Sequence, residues 1–342
     1  MSGGPEPAVV VGLDVGGTKV NATVLATDGT FLINDMVESP SRVLEGPEAA
    51  LSTLSQLLDG VLAMTAFSRA SVAAVGLDTP GPASAEGVLS SKGSTNFSQP
   101  VWRGYDFRGA LQARLQLPVV YINDGNAASL YAHQVCFGAD AARHSSVAAV
   151  VGTGLGGGVI DLGRVVSGAA GMAGEFGHVV IPMEDILGPE QPVPVCNCGQ
   201  AGDVESVASL TGIERNLLPY WLGRYPNHQL ASAPRDQAAK AVRTFGEQGD
   251  SLARSIFEQQ AKALGKLFGI VANVLDPGAY FVGGGVVETG PEFRAWFLDA
   301  VRGHTALRDE QRQEVVFDVV PSLDMAGARG AALAALASLK SH

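Results

Sequence analysis

The chain has 342 residues, 46% of them hydrophobic and 17% charged, which describes a globular protein with ample core and a prior of two domains of roughly 150 residues each. The formal net charge is −11 and there is no Lys/Arg cluster, which argues against nucleic acid as a partner, because phosphate backbones call for clustered cations. Met1–Pro7 is short and polar rather than a secretory signal, no uninterrupted apolar run reaches the roughly 18 residues of a membrane span, and Cys136, Cys196 and Cys198 make no disulfide framework.

A cytoplasmic enzyme or binding protein is therefore expected. Glycine is the anomaly at 43 residues, gathered in tight clusters after apolar runs, as where backbone must approach a ligand. Val9–Leu13 reads as a buried strand. Asp14-Val15-Gly16-Gly17-Thr18-Lys19 follows, and then a second strand over Val20–Leu25. Asp28-Gly29 is a hairpin signal, and a third strand is expected over Phe31–Val37. Pro47–Met64 has helical apolar spacing. Ser71–Leu77 is another strand, ending in Asp78-Thr79-Pro80-Gly81-Pro82, a loop by composition. Leu111–Leu115 reads as a short helix. The run Val119–Ile122 then breaks into Asn123-Asp124-Gly125-Asn126, with a helical pattern from Ala127.

The second half repeats this order. Ser146–Val151 is a strand, Gly152-Thr153-Gly154-Leu155-Gly156-Gly157-Gly158 a glycine turn, Val159–Leu162 a strand, and Val165 the start of a third. Later come a helix over Ala261–Leu275, a strand over Ala279–Val282 running into Gly283-Gly284-Gly285, a helix over Pro291–Val301, a strand over Val315–Val320 and an Ala-rich helix over Met325–Leu339. Such duplication points to two α/β domains of like topology facing each other across a cleft. The expected division is 1–125 joined by the closing helix 324–342, and 126–323.

Neither glycine turn is a Walker P-loop or a Rossmann fingerprint, since each joins strand to strand. Either alone reads as a tight hairpin. Together with Gly283–Gly285, two Asp/Gly/Thr-rich hairpins look like a nucleotide site, in which backbone N–H groups and the Thr18 and Thr153 hydroxyls meet phosphate. Asp14 would organise Mg²⁺ through water. Asp124, at the carboxyl end of a strand, stands where open α/β sheets bind ligands and can accept a proton from a substrate hydroxyl; the competing reading is a helix cap.

A second constellation lies in Gly174-Glu175-Phe176-Gly177-His178 and in Cys196-Asn197-Cys198-Gly199-Gln200-Ala201-Gly202-Asp203-Val204-Glu205. Cys-x-Cys with a nearby His is half of a tetrahedral zinc site, with Asp203 available as a fourth ligand, or else a pair of reduced thiols. Glu175, His178 and Glu205 suit hydrogen bonding to a polyhydroxylated ligand, or plain solvation.

These motifs, in this order and over nearly the whole chain, resemble the ROK family of bacterial repressors, open-reading-frame proteins and sugar kinases. The resemblance implies a two-domain actin-like ATPase (ribonuclease H-like) fold with duplicated mixed sheets and a central cleft. It implies Asp124 as catalytic base and Asn96, Asn123, Glu175, His178 and Glu205 as sugar-holding residues. Asp14, Gly16, Gly17, Thr18 and Lys19 match the first phosphate motif, Gly152, Thr153 and Gly154 the second, and Gly283, Gly284 and Gly285 the region beside the adenosine. His178, Cys196 and Cys198 match three zinc ligands.

Two departures bear on zinc. The family's third Cys is Asp203 here, and Glu184–Val195 looks like a proline-bearing insertion. Either Asp203 serves as a harder ligand with weaker binding, or the metal is absent. The function implied is ATP- and Mg²⁺-dependent phosphorylation of a hexose, most directly glucose, by a protein expected to be a homodimer. Fructose, mannose or an N-acetylhexosamine as acceptor, polyphosphate as donor, and non-catalytic sugar binding are the alternatives. A repressor is disfavoured because about ten residues before Gly12 are too few for a helix-turn-helix.

Overall fold

The computed structural model describes residues 8–81, 83–92 and 97–340. They group into two compact units: Met1–Gly138 with Arg164–Ala173 and Pro321–His342, and Ala139–Gly163 with Gly174–Val320.

In the first unit, β1 (Val9–Val15) and β2 (Lys19–Ala26) form an antiparallel hairpin, and β3 (Val37–Pro40), β4 (Val72–Thr79) and β5 (Val119–Asn123) complete a mixed sheet in the order β3-β2-β1-β4-β5. β1, β4 and β5 run parallel. Helix α1 (Pro47–Met64) buries Leu51, Leu54, Leu58 and Val61 with Val9, Val11, Leu13 and Val15 of β1. The opposite face of β1 carries Val10, which packs with Ala332, Ala335 and Leu336 of the closing helix Leu323–Leu339. Burial on both faces is why β1 reads as a continuous apolar run rather than an alternating one.

That closing helix sits unusually near the sheet. A Cβ at Gly12 would lie 1.9 Å from the Ala328 carbonyl oxygen, and one at Gly76 1.9 Å from that of Ala331. Gly12 and Gly76 are register partners on β1 and β4, so together they form the floor on which the helix rests.

In the second unit, β6 (Ser146–Val151) and β7 (Leu155–Asp161) form the hairpin, while β8 (Ala279–Gly284) and β9 (Val316–Val319) run parallel beside β6, in the order β9-β8-β6-β7. The connectivity of the first sheet is thus repeated: a hairpin whose first strand pairs in parallel with a strand arriving much later. Helices Arg235–Glu247, Ser251–Leu275 and Pro291–His304 supply much of this unit's core, centred on Phe257, Leu264, Phe268 and Phe297.

Several elements shift from their expected bounds. Phe31 makes only an isolated bridge to Leu25, and the third strand begins at Val37. The phenyl ring leaves the sheet to meet Tyr131 edge-on at 6.0 Å, beneath the Arg329 guanidinium at 5.1 Å. Asp78 and Thr79, read as loop, continue β4, and the strand expected from Val165 spans only Arg164–Val165. The helix expected from Ala261 starts ten residues earlier at Ser251, capped by Asp250, whose carboxylate accepts from Ala253 N at 2.9 Å. Among the described residues, no helix is long and apolar enough to cross a membrane.

Candidate active site

In the first unit the carboxyl ends of β1, β4 and β5 bring together three acids. Asp14 and Asp78 are register partners on β1 and β4, and Asp124 is the first residue of the helix α2 (Asp124–Phe137) that follows β5. The helix is capped by Asn123, whose Oδ1 accepts from Gly125 N at 3.0 Å; Asp124 Oδ1 accepts from the same N–H at 2.8 Å. The cap therefore sits one residue earlier than the alternative reading of Asp124 required, and Asp124 itself is exposed at the sheet edge.

Burial lifts the Asp14 carboxyl to about 6 from its ordinary 3.8, the charge of Asp124 adds to the rise, and a hydrogen bond from Asn21 opposes it. Asp78 is fully buried, neither of its oxygens has a hydrogen-bond partner, and burial followed by the charges of Asp14 and Asp124 pushes it well above the usual carboxylate range. Nearby, the first glycine hairpin is closed by Gly16 N donating to Lys19 O at 2.9 Å and braced by Ser41, which bonds the carbonyls of Thr18 and Gly17. Lys19 points outward to Glu38, at 2.5 Å.

In the second unit the glycine hairpin is anchored from below. Leu210 N donates to Gly152 O, and Thr211 donates to Thr153 O through both its backbone N–H and its hydroxyl. Beside it lies a cavity of about 240 Å³ bounded by Gly152, Thr153 and Gly285, with an apolar wall that includes Leu210, Phe257 and Val286. Gly284, at φ +91°, has no room for a side chain: a Cβ would lie 2.0 Å from Val151 O. Arg243 on the cavity rim donates to Gly285 O at 3.0 Å.

The same unit gathers Glu175, His178 and Glu205. Glu205 Oε2 accepts from Leu155 N at 2.8 Å and its Oε1 from the Cys196 thiol at 3.3 Å, so this carboxylate joins the glycine hairpin to the cysteine loop. Glu175 is raised above its ordinary value by burial, with His178 lowering and Glu205 raising it.

The metal candidates converge as well. One donor atom each from His178, Cys196, Cys198 and Asp203 lies within 4.8 Å of all the others. His178 Nδ1 is 3.5 Å from Asp203 Oδ2 and 4.0 Å from Cys196 Sγ, and Cys198 Sγ is 3.7 Å from Asp203 Oδ2. A tetrahedral zinc with bonds of roughly 2.0–2.3 Å sets its ligand atoms roughly 3.3–3.8 Å apart, so the donor set fits with slight contraction. Asp203 is fully buried, and its other oxygen is engaged by Ser206 N at 2.9 Å. Burial keeps the Cys196 thiol protonated well above the ordinary range, so a metal arriving there displaces a proton.

The residues singled out by sequence thus fall into two sets. Asp14, Gly16–Lys19, Asn123 and Asp124 belong to the first unit; Gly152–Gly154, Glu175, His178, the cysteine loop and Gly283–Gly285 belong to the second. Asn96 lies outside the described residues. Sequence reasoning passed over Asp78, whose signal was an acid at the end of an apolar strand, and Gln260, which borders the cavity.

Two mixed sheets of repeated connectivity, each opening on a glycine hairpin, define an actin-like ATPase fold. The ROK family profile matches residues 10–338, and the chain belongs to that family. A glucokinase of Halalkalibacterium halodurans is 31% identical over 284 residues, 82% of this chain and 81% of the relative. Kinases named for N-acetyl-D-glucosamine in Citrobacter koseri and for N-acetylmannosamine in Shigella flexneri are 29% and 30% identical, covering 80% and 81% of this chain and 83% of each relative. Among solved structures, the ROK hexokinase of Thermus thermophilus matches with a TM-score of 0.76 at 28% identity, covering 98% of this chain and 100% of that one. The ROK family glucokinase of Streptomyces griseus in complex with glucose and AMPPNP matches with a TM-score of 0.66 at 26% identity, over 96% and 99%.

Proposed function

We propose that this ROK-family sugar kinase transfers the γ-phosphoryl group of ATP to a hexose, with glucose at its 6-hydroxyl as the preferred acceptor and Asp124 as general base. The observation that carries the reading is Asp124 itself. It is an exposed carboxylate at the carboxyl edge of a parallel strand, beside the Asp14–Lys19 hairpin, and Asn123 supplies the helix cap.

Phosphoryl transfer asks the protein mainly for positioning and charge neutralisation. Asp124 takes the proton of the attacking hydroxyl, while Asn123, Glu175, His178 and Glu205 hold the sugar. The backbone N–H groups of Gly17, Thr18, Thr153 and Gly154 would meet the phosphates, while those of Gly16 and Gly152 close their hairpins by donating to Lys19 O and Gly154 O. Mg²⁺ arriving with the nucleotide supplies neutralisation of phosphate charge, and Asp14 is the carboxylate that would hold it through water. Zinc on His178, Cys196, Cys198 and Asp203 would stiffen the loop that carries Glu205. The apolar wall of the cavity beside Gly152 favours a nucleoside over polyphosphate as donor, since an all-anionic chain gains nothing from Leu210, Phe257 or Val286. The glucokinase relative and the glucose and AMPPNP complex support glucose and ATP.

The test is a coupled ADP-release assay across glucose, fructose, mannose, N-acetylglucosamine and N-acetylmannosamine. Glucose is expected to give the highest kcat/KM. ADP release no faster with any sugar than with water alone would remove the kinase reading, and a higher kcat/KM for an N-acetylhexosamine would move the acceptor assignment.

A further inference from the structure

The segment Glu184–Val195, which leads into the cysteine loop, is pinned at two points to helical parts of the second unit. Near its start the buried Gln259 is fully engaged: its Nε2 donates to Ile186 O at 2.8 Å and to Gln191 Oε1 at 2.6 Å, and its Oε1 accepts from Trp221 Nε1 at 2.8 Å. At its end stands Asn216, half-buried in a π-helical turn over Ile213–Leu217. Such turns are rare and occur frequently at functional sites.

The Asn216 amide meets three backbone groups. Its Oδ1 accepts from Val195 N at 3.4 Å, and its Nδ2 donates to Val195 O at 3.2 Å and to Ser206 O at 2.8 Å. An N–H only donates and a carbonyl only accepts, so these partners fix which end of the amide is oxygen. Val195 immediately precedes Cys196, and Ser206 immediately follows Glu205. One side chain thus ties together the two ends of the loop that carries Cys196, Cys198, Asp203 and Glu205, and it does so through backbone atoms alone. The loop's own closures, Cys196 N to Gln200 O and Gly202 N to Pro194 O, both at 2.9 Å, are likewise backbone bonds.

We propose that Asn216 is a positioning residue for the acceptor site, holding Glu205 in place through the backbone of Val195 and Ser206 whether or not a metal occupies the neighbouring donor set. The inference rests on the reading of Glu205 as a sugar-holding residue. The Glu205 carboxylate spans from Leu155 N to the Cys196 thiol. A loop released at Val195 and Ser206 therefore shifts both the glutamate and the cysteine that it meets. The second glycine hairpin keeps separate anchors, Leu210 N on Gly152 O and Thr211 on Thr153 O, so binding of the phosphoryl donor is spared.

The experiment measures calorimetric binding of glucose, with kcat and the KM values for glucose and ATP, in the wild type, Asn216→Ala and Asn216→Asp. Each protein is measured zinc-loaded and after dialysis against chelator. Asn216→Ala is expected to weaken glucose binding and raise its KM roughly five- to ten-fold, the worth of one or two hydrogen bonds, while kcat and the KM for ATP stay within about two-fold. Asn216→Asp keeps the shape and the acceptor but turns a carboxylate toward two carbonyls, so its loss should be at least as large. Chelation of the wild type should weaken glucose binding by no more than roughly three-fold, less than the worth of one hydrogen bond. Wild-type glucose affinity in both variants overturns the proposal, as does an equal loss for glucose and ATP, which marks general loosening. A wild type whose glucose binding vanishes on chelation also overturns it, and that result decides the matter even if neither variant folds. A wild type that neither binds nor phosphorylates glucose would instead remove the acceptor reading, and this assignment with it, so the two failures are distinguishable.

Discussion

The carboxyls of Asp14 and Asp78, register partners on parallel strands, converge over Gly327 of the closing helix: a Cβ at Gly327 would lie 2.5 Å from Asp78 Oδ2 and 2.7 Å from Asp14 Oδ2. Two acids crowded against a helix backbone, with Asp124 close enough to raise both, cannot all be ionised cheaply.

That crowding fixes the sign of a pH effect. Both carboxyls bind protons more tightly in the folded than in the unfolded chain. Below about pH 4 both states are protonated, and the acids' contribution to stability is fully present. As pH rises, the unfolded chain loses these protons first, so stability falls, through about pH 6 for Asp14 and further for Asp78. Asp78→Asn removes the charge with little change of shape. Its melting temperature should exceed that of the wild type by a margin that grows from pH 5 to pH 8, measured by differential scanning fluorimetry. A margin that is flat or shrinks over that range would show that Asp78 ionises normally.

Cap and base can be separated at the start of α2. Asn123→Ala removes one of the two side-chain acceptors of Gly125 N, leaving Asp124 Oδ1, and should cost up to about 1 kcal/mol of stability. Asp124→Asn leaves that cap in place and should fold like the wild type, while kcat falls by roughly 10²–10⁴ with KM for sugar little changed. Near wild-type turnover in Asp124→Asn would remove it from the chemistry.

What could be read in the sequence was what is locally encoded. Gly16-Gly17 between apolar runs, and Asn123-Asp124 at the end of another, declare their turns through their own backbone preferences, and the structure keeps both. Asp78 was lost because its meaning is tertiary: it becomes an acid cluster only once β4 pairs with β1 and the closing helix covers both. Gln260 is indistinguishable from Gln259 by sequence; only the positions of Ala208 and Trp221 decide which amide is satisfied. The early turns of the helix from Ser251 draw on tertiary contact that the sequence does not display: the Arg254 guanidinium lies 4.3 Å from the Trp296 ring centroid.

Close approach of the closing helix to the first sheet gives a stability prediction. An alanine at Gly76 places its Cβ against Ala331 O, and the helix must move away from β4. Gly76→Ala should cost about 1–3 kcal/mol or more, as overpacking does. Gly60, exposed in α1 with nothing near its would-be Cβ, is the control: Gly60→Ala should stabilise by roughly 0.5–1 kcal/mol. Chemical denaturation of the two variants measures both. Equal and small effects would mean the helix docks more loosely than the contact distances require.

The cysteine loop allows a test that does not depend on turnover. Asp203 Oδ1 is held by Ser206 N, which leaves Oδ2 directed at His178 and Cys198 as the oxygen member of the donor set. A carboxylate is a harder ligand than a thiolate, so zinc bound here should exchange with chelator more readily than at an all-sulfur and imidazole site. Purified protein is expected to carry about one zinc per chain by elemental analysis. Cys198→Ser should lower retention after dialysis against chelator, and Asp203→Cys should raise it. Removing the metal should also lower the melting temperature, because the loop between Cys196 and Glu205 loses its cross-link. Zinc retained equally by the wild type and Cys198→Ser would mean that this ligand set is wrong, whatever the activity of either protein.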